Sequence, residues 1–319
     1  MIDILMILGG LVLLFFGGEG LIKGAVSLAR NFGLSKLLVS AVVVGFGTSM
    51  PEMTVSVGAA LKGASDIAIG NVVGSNIANI LLIIGFAAIM CPIFIAGAAV
   101  KRDTFVMLGA SLALCGLAMT GMISFVAGLV MFAALIAYIA WSYTQDKKGG
   151  AETAAHIEED IEGESQLSRF KATVYALCGL ALLIGGAYIL VEGAVSIARD
   201  FGISEAVIGL TIVAVGTSLP ELATAVVAAM RKHSDVIIGN ILGSNIFNIL
   251  AILGVTAMIS PIPIAAQIAT FDVWVMLGIA TFLSIYLLRG VTIGRMSGLA
   301  MIGTYIIYTV WLYMNGMSA

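Results

Sequence analysis

Three stretches of this chain, residues 67–100, 104–145 and 236–271, contain no charged side chain. Each exceeds the ~20 apolar residues that a helix needs to cross the hydrocarbon core of a bilayer. Of 319 residues, 61% are hydrophobic and only 10% charged, a balance no ordinary water-soluble domain of this length shows. The sequence therefore predicts an all-α polytopic membrane protein whose solvent is the lipid bilayer, with some of the long runs holding two helices.

Breakers and polar clusters divide the first half into candidate spans at about 2–28, 36–61, 67–90, 103–119 and 124–143. The second half divides at about 171–197, 205–230, 236–259, 272–288 and 296–315. The expected organisation is a five-helix unit over 1–145, an acidic linker over 146–170 and a second five-helix unit over 171–319. Glu152, Glu158, Glu159, Asp160, Glu162 and Glu164 make that linker the one long polar stretch, read as a solvated connection. A regulatory cation site there would need a ligand spacing like that of an EF-hand loop, which the linker lacks. The net charge of −3 carries little information, and nothing points to a nucleic-acid partner or an obligate protein partner. Cys91, Cys115 and Cys178 sit in apolar segments without disulfide or zinc spacing. The N-terminal segment has no basic n-region and is expected to begin the first membrane helix and be retained.

The two halves are copies. Gly-Phe-Gly-Thr-Ser-Met-Pro-Glu at 45–52 returns as Ala-Val-Gly-Thr-Ser-Leu-Pro-Glu at 214–221, 169 positions later. Gly-Asn-Val-Val-Gly-Ser-Asn-Ile-Ala-Asn-Ile at 70–80 returns at the same offset as Gly-Asn-Ile-Leu-Gly-Ser-Asn-Ile-Phe-Asn-Ile at 239–249. Five spans per copy is an odd number, so the copies must enter the bilayer in opposite directions, giving ten transmembrane helices as two inverted repeats. The basic residues test this independently. With both termini outside, thirteen of the fifteen Lys and Arg fall on cytoplasmic connections and only Lys62 and Arg199 on the other side, a strong positive-inside bias.

Each copy places a glutamate, Glu52 or Glu221, in the middle of an apolar span, where a carboxylate is costly enough to imply a function. Pro51 and Pro220 remove a backbone hydrogen bond, so the carbonyls of Gly47 and Gly216 should lose their donors at mid-membrane. Irregular backbone survives at that depth where it is buried in protein or lines a polar cavity. Helical spacing puts Thr48, Ser49 and Glu52 on one side, with Gly45 leaving room on that face. Ser75 and Asn79 share a face of the next helix, and the second copy supplies Thr217, Ser218, Glu221, Ser244 and Asn248. Every donor is an oxygen, with no histidine or cysteine among them, which suits hard cations and favours Ca²⁺ over zinc or copper. Two glutamates converging at low dielectric repel unless a cation compensates them. The mobile partner is then a metal cation, a set of monovalent cations or protons, and a site that competing ions can fill is by nature an exchanger. In the second motif, Gly-Asn-x-x-Gly-Ser-Asn, the glycines are expected to serve close helix packing and the Ser and Asn side chains the coordination. Glu19 and Glu192 have no repeat partners and read as interfacial.

Gly-Thr-Ser-x-Pro-Glu followed by Gly-Asn-x-x-Gly-Ser-Asn-Ile-x-Asn, duplicated with five helices per half, resembles the sodium/calcium exchanger family of the cation/calcium antiporter superfamily. The resemblance covers essentially all of the chain. It implies alternating access, with Ca²⁺ and Na⁺ competing at the repeat interface and the first helix of each half sliding across the core. It carries Glu52 and Glu221 over as carboxylate ligands, and Thr48, Ser49, Ser75, Thr217, Ser218 and Ser244 as hydroxyl or carbonyl ligands. Asn79 and Asn248 lie one turn further on, and Gly45 and Ala214 complete the metal set. Asparagine at 248, where some relatives carry aspartate, resembles the potassium-independent branch. The motif at 70–76 departs from the acidic one of proton-coupled exchangers. A prokaryotic plasma-membrane antiporter without cofactors, moving Ca²⁺ and Na⁺, is the expectation, and H⁺-coupled or K⁺-dependent exchange is the alternative. An intramembrane enzyme using the two glutamates lacks an accompanying nucleophile, metal-binding histidine or phosphate loop. A passive cation channel would conduct without counter-ion dependence.

Overall fold

The computed structural model describes residues 2–148, 167–201 and 214–316. Residues 149–166 of the acidic linker and the expected start of the span at 205–230 lie outside the described residues. The first half comprises α1 (Ile2–Phe32), α2 (Lys36–Thr48), α3 (Met50–Leu61), α4 (Ser65–Met90), α5 (Ala98–Ala118) and α6 (Phe125–Lys148). The second comprises α7 (Arg169–Asp200), α8 (Ala214–Thr217), α9 (Leu219–Met230), α10 (Ser234–Ile259), α11 (Ile268–Arg289) and α12 (Arg295–Gly316). Among the described residues, six single helices are long and apolar enough to cross a membrane. The α2–α3 pair, bent by 45° at Ser49, makes a seventh. The sequence-expected span at 103–119 begins earlier, at Ala98, and takes Lys101, Arg102 and Asp103 into its first turns.

The copies fold alike: α3 and α4 span 50–61 and 65–90, and α9 and α10 repeat them at 219–230 and 234–259. They are also arranged reciprocally. The start of α1 lies against the end of α7, with Asp3 beside Gly193, and the end of α1 against the start of α7, with Gly24 beside Ala172 and Ala176. These equivalent helices therefore run antiparallel. Their contact follows two glycine series of seven-residue period, Gly10, Gly17, Gly24 and Gly179, Gly186, Gly193. A Cβ at Gly179 would sit 2.3 Å from the Leu21 nitrogen, so only glycine permits this approach. A short ladder, β1 (Met122–Ile123) with β2 (Ile262–Pro263), pairs one half with the other. A separate bridge from Ile93 to Ile293 makes nearly the mirror connection.

The motif helices form the centre. All residues in the apolar stretch of α10 and 78% of those in α4 are buried, against 28% in α1, α6 and α7, whose outer faces are left for lipid. A helix apolar all round belongs in such a core, so Ser75, Asn76 and Asn79 of α4 and Asn240, Ser244, Asn245 and Asn248 of α10 are held away from water and lipid alike.

Candidate functional site

The local backbone departs from α-helix where the duplicated motifs stand. The chain breaks at Ser49 (φ −83°, ψ 9°) and at its equivalent Ser218 (φ −90°, ψ 7°). Pro51 and Pro220 thus sit in the first turn of a new helix, where a missing N–H is tolerated. Two π-helical turns open at the paired asparagines, over Asn79–Ile84 and Asn248–Leu253, and another covers Ser40–Gly45 just before the first break. Such turns widen a helix locally and recur at functional positions.

The breaks bring the halves together through exchanged contacts. The Ser49 hydroxyl donates to Glu221 Oε1 at 3.0 Å, and the Ser218 hydroxyl donates to Glu52 Oε1 at 3.3 Å. Thr217 also interacts with Glu52, as Thr48 does with Glu221, and the carboxylates are near enough to repel each other. Glu52 and Glu221 are each only 1% exposed. The Gly45 carbonyl accepts from Thr48 at 3.3 Å and from Ser244 at 3.1 Å, while Asn240 Oδ1 lies 3.4 Å from both hydroxyls. Gly45 does leave room, but for backbone: a Cβ there would meet the Asn240 oxygen and Ser244 nitrogen at 2.8 Å. Ser75 is buried on α4. Ala214 opens α8, and its side chain lies outside the described set.

Deeper between α4 and α10, four asparagines interlock. Asn79 Nδ2 donates to Asn245 Oδ1 and Asn248 Nδ2 donates to Asn76 Oδ1, both at 3.0 Å. Asn76 and Asn245 also donate to each other's backbone carbonyl, at 3.4 and 3.5 Å. Sequence spacing names Asn79 and Asn248 singly, whereas Asn76, Asn240 and Asn245 enter the sequence reading only as a class, among the Ser and Asn side chains of the second motif. The i, i+4 rule selects Asn79 from Ser75, and the i, i+3 relation places Asn76 beside Asn79, as it places Asn245 beside Asn248.

Buried polar atoms normally find partners. Four acceptor oxygens here, Glu52 Oε2, Glu221 Oε2, Asn79 Oδ1 and Asn248 Oδ1, are buried and receive no hydrogen bond from the described residues. They form two repeat-related pairs, and each pair's other polar atoms are satisfied by hydrogen bonds across the repeats. Unmatched oxygens, two of them carboxylate, create a demand that hydroxyl donors in the cluster do not meet. A hard cation would meet it. Among the described residues no three His, Cys, Asp or Glu side chains cluster, so the charge of this cluster rests on two carboxylates.

The sodium/calcium exchanger protein family matches residues 2–144 and 171–314, one stretch for each half. The chain is 41% identical over 290 residues to the putative antiporter CaxA of Alkalimonas amylolytica, covering 89% of each protein. It is 32% identical to the sodium/calcium exchanger MaX1 of Methanosarcina acetivorans, covering 98% of this chain and 99% of that one. Its fold superposes on the sodium-calcium exchanger NCX_Mj, in a structure soaked with Na⁺ and Sr²⁺, with a TM-score of 0.82 at 31% identity over 96% of both chains. The protein belongs to the sodium/calcium exchanger family, a family of membrane ion transporters.

Proposed function

We propose that this protein is a secondary antiporter that exchanges Ca²⁺ for Na⁺ across a cell membrane by alternating access. Glu52 and Glu221 supply the charge of the transport site. Thr48, Ser49, Ser75, Asn79, Thr217, Ser218, Ser244, Asn248 and the backbone at Gly45 and Ala214 supply neutral oxygens. The observation that carries the reading is the set of four buried, unmatched oxygens in two repeat-related pairs. Two carboxylates balance one divalent ion, and the surrounding neutral oxygens can be shared out among smaller monovalent charges, so the two ions compete for one shell. The names of MaX1 and NCX_Mj agree with this choice of ions.

In this reading the chain crosses the membrane ten times, as two inverted five-helix repeats flanking the acidic linker. Support comes from the antiparallel contact of α1 with α7, which are equivalent in sequence. It comes also from the sides on which contacts fall. Of the residues assigned to the cytoplasmic connections by charge, Asn31 meets Leu167 and Arg169 through hydrogen bonds, and Asp146 meets Ser35 and Arg102 through a hydrogen bond and an ion pair. Both termini then face outside. The decisive experiment is Ca²⁺ uptake into sealed vesicles with Na⁺, K⁺ and H⁺ gradients imposed separately. Uptake driven by an outward Na⁺ gradient without K⁺ is expected. Uptake that needs K⁺, or that a proton gradient drives without Na⁺, would replace this assignment with the K⁺-dependent or H⁺-coupled one.

A further inference from the structure

Met107 on α5 and Met276 on α11 stand 169 residues apart, outside the duplicated motifs, and are 0% and 1% exposed. Each sulfur meets an asparagine of the opposite repeat. Asn245 Nδ2 donates to Met107 Sδ at 3.8 Å, and Asn76 Nδ2 donates to Met276 Sδ at 3.7 Å. A thioether sulfur can only accept a hydrogen bond, whereas a primary amide has a donor end and an acceptor end of nearly the same shape. The sulfur therefore fixes which end of the amide faces it.

We propose that Met107 and Met276 are positioning residues that set the polarity of the four-asparagine cluster and so keep Asn79 Oδ1 and Asn248 Oδ1 turned toward the transported cation. The proposal rests on the exchange reading above. With Nδ2 of Asn245 held by Met107, its Oδ1 is left to accept from Asn79 Nδ2, and Asn79 Oδ1 remains without a described partner. The other half repeats the order from Met276 through Asn76 to Asn248. If the first amide of either series turned over, its donor end would face the donor of the next. That second amide would turn as well and present an N–H to the cation. The backbone carbonyls of Asn76 and Asn245 favour the same orientation, but at 3.5 and 3.4 Å they are at the long end of hydrogen-bond geometry. The sulfurs share the task with them.

Met107→Leu and Met276→Leu keep the volume and remove the acceptor. In vesicles showing Na⁺-driven Ca²⁺ uptake, each is expected to raise the KM for Ca²⁺ about 3- to 10-fold, as loss of one modest hydrogen bond does. The maximal rate and the cation-free melting temperature should stay close to wild type, which a mere packing role would not give. The relay also predicts a specific coupling, read by Ca²⁺-binding calorimetry on purified protein. M107L should weaken binding no further in an Asn79→Ala background, yet should act independently of Asn248→Ala, with the reverse pairing for M276L. Unchanged KM in both variants, or additive losses in the M107L/N79A pair, would overturn the relay while leaving the exchange function intact. If one leucine variant fails to fold, its repeat-related counterpart carries the same test. A wild type that neither binds nor moves Ca²⁺ would remove the exchange reading itself, and the relay with it.

Discussion

Replacing Glu52 by glutamine should change the protein in opposite directions with and without Ca²⁺. Glu52 is buried beside Glu221, with Oε1 held by Ser218 and Oε2 unmatched among the described residues. Glutamine keeps the shape and removes one of two negative charges. Without cation, the substitution abolishes both the repulsion and the desolvation of one carboxylate, so the variant should unfold at a higher temperature than wild type. With Ca²⁺, two charges facing a divalent ion become one, leaving a unit charge without a partner at membrane depth. Breaking a buried pair in this way costs about 3–5 kcal/mol. At 1.4 kcal/mol per tenfold, Ca²⁺ affinity should fall roughly 10²- to 10⁴-fold. The assay is thermal unfolding of the purified protein in a buffer free of Na⁺, titrated with Ca²⁺. Wild type should gain stability with concentration, by about 4 kcal/mol at a thousandfold excess over Kd, while Glu52→Gln starts higher and barely responds. Glu221→Gln should do the same, because the Ser49 contact reproduces the Ser218 one. A Ca²⁺ response in Glu52→Gln within tenfold of wild type, or a lower cation-free melting temperature, would refute the shared two-carboxylate site.

Asn248→Asp adds a third carboxylate to the cluster, so transport should gain pH or K⁺ sensitivity, checked by Ca²⁺ uptake across a pH series with and without K⁺. Gly243→Ala puts a Cβ 2.2 Å from the Ala41 carbonyl oxygen, where backbone must move, and should destabilise by about 1–3 kcal/mol. Gly58→Ala, with nothing within 4 Å, should be close to neutral in the same thermal assay. Arg102→Met strands the fully buried Asp103 without its ion-pair partner and should destabilise by about 3–5 kcal/mol, read from denaturant or thermal unfolding. Single cysteines placed in the acidic linker and at the C-terminus of a cysteine-free background should react with an impermeant reagent from opposite sides of the membrane. Equal labelling of both on intact cells would contradict the inverted topology.

Much of this molecule is legible in its sequence because duplication writes each constraint twice. A lone Pro-Glu in an apolar span reads as a kink, whereas Pro51-Glu52 and Pro220-Glu221 at one offset point to a common cluster, and the exchanged Ser49–Glu221 and Ser218–Glu52 contacts bring them into one. What helical spacing within one copy misses is which side chains meet across the two copies. Asn76 and Asn245 stand in the motif the sequence marks for coordination, but that each receives an N–H from the asparagine of the opposite copy is visible only in the fold. Charge reading also has a blind spot. Asp146 looks like the first residue of the solvated acidic linker, yet it is helical, buried, and accepts from both the nitrogen and the hydroxyl of Ser35, at 2.8 and 2.6 Å. Single-sequence hydropathy cannot distinguish an acid entering water from one that caps a distant helix.

That buried cluster is also where the two copies stop being equivalent. Arg102 ties Asp103 on its own helix to Asp146 on α6, and Asp146 holds the N-terminus of α2, the helix that leads to Gly45, Thr48 and the break at Ser49. In the second copy the sequence has Phe271 at the position of Arg102 and Asn315 at that of Asp146, while Asp272, the equivalent of Asp103, accepts a hydrogen bond from Tyr308 at 2.9 Å. A perfectly duplicated inverted repeat would have identical energetics for exposing its site to either side. Here α2 can leave its neighbours at this end only by giving up hydrogen bonds to a buried charged acceptor, which are stronger than neutral ones. On the alternating-access reading, one difference between the two sides is carried by Ser35, Arg102 and Asp146, at the end of the broken helix. Loosening that attachment would shift the balance between the two orientations without altering a single candidate ligand.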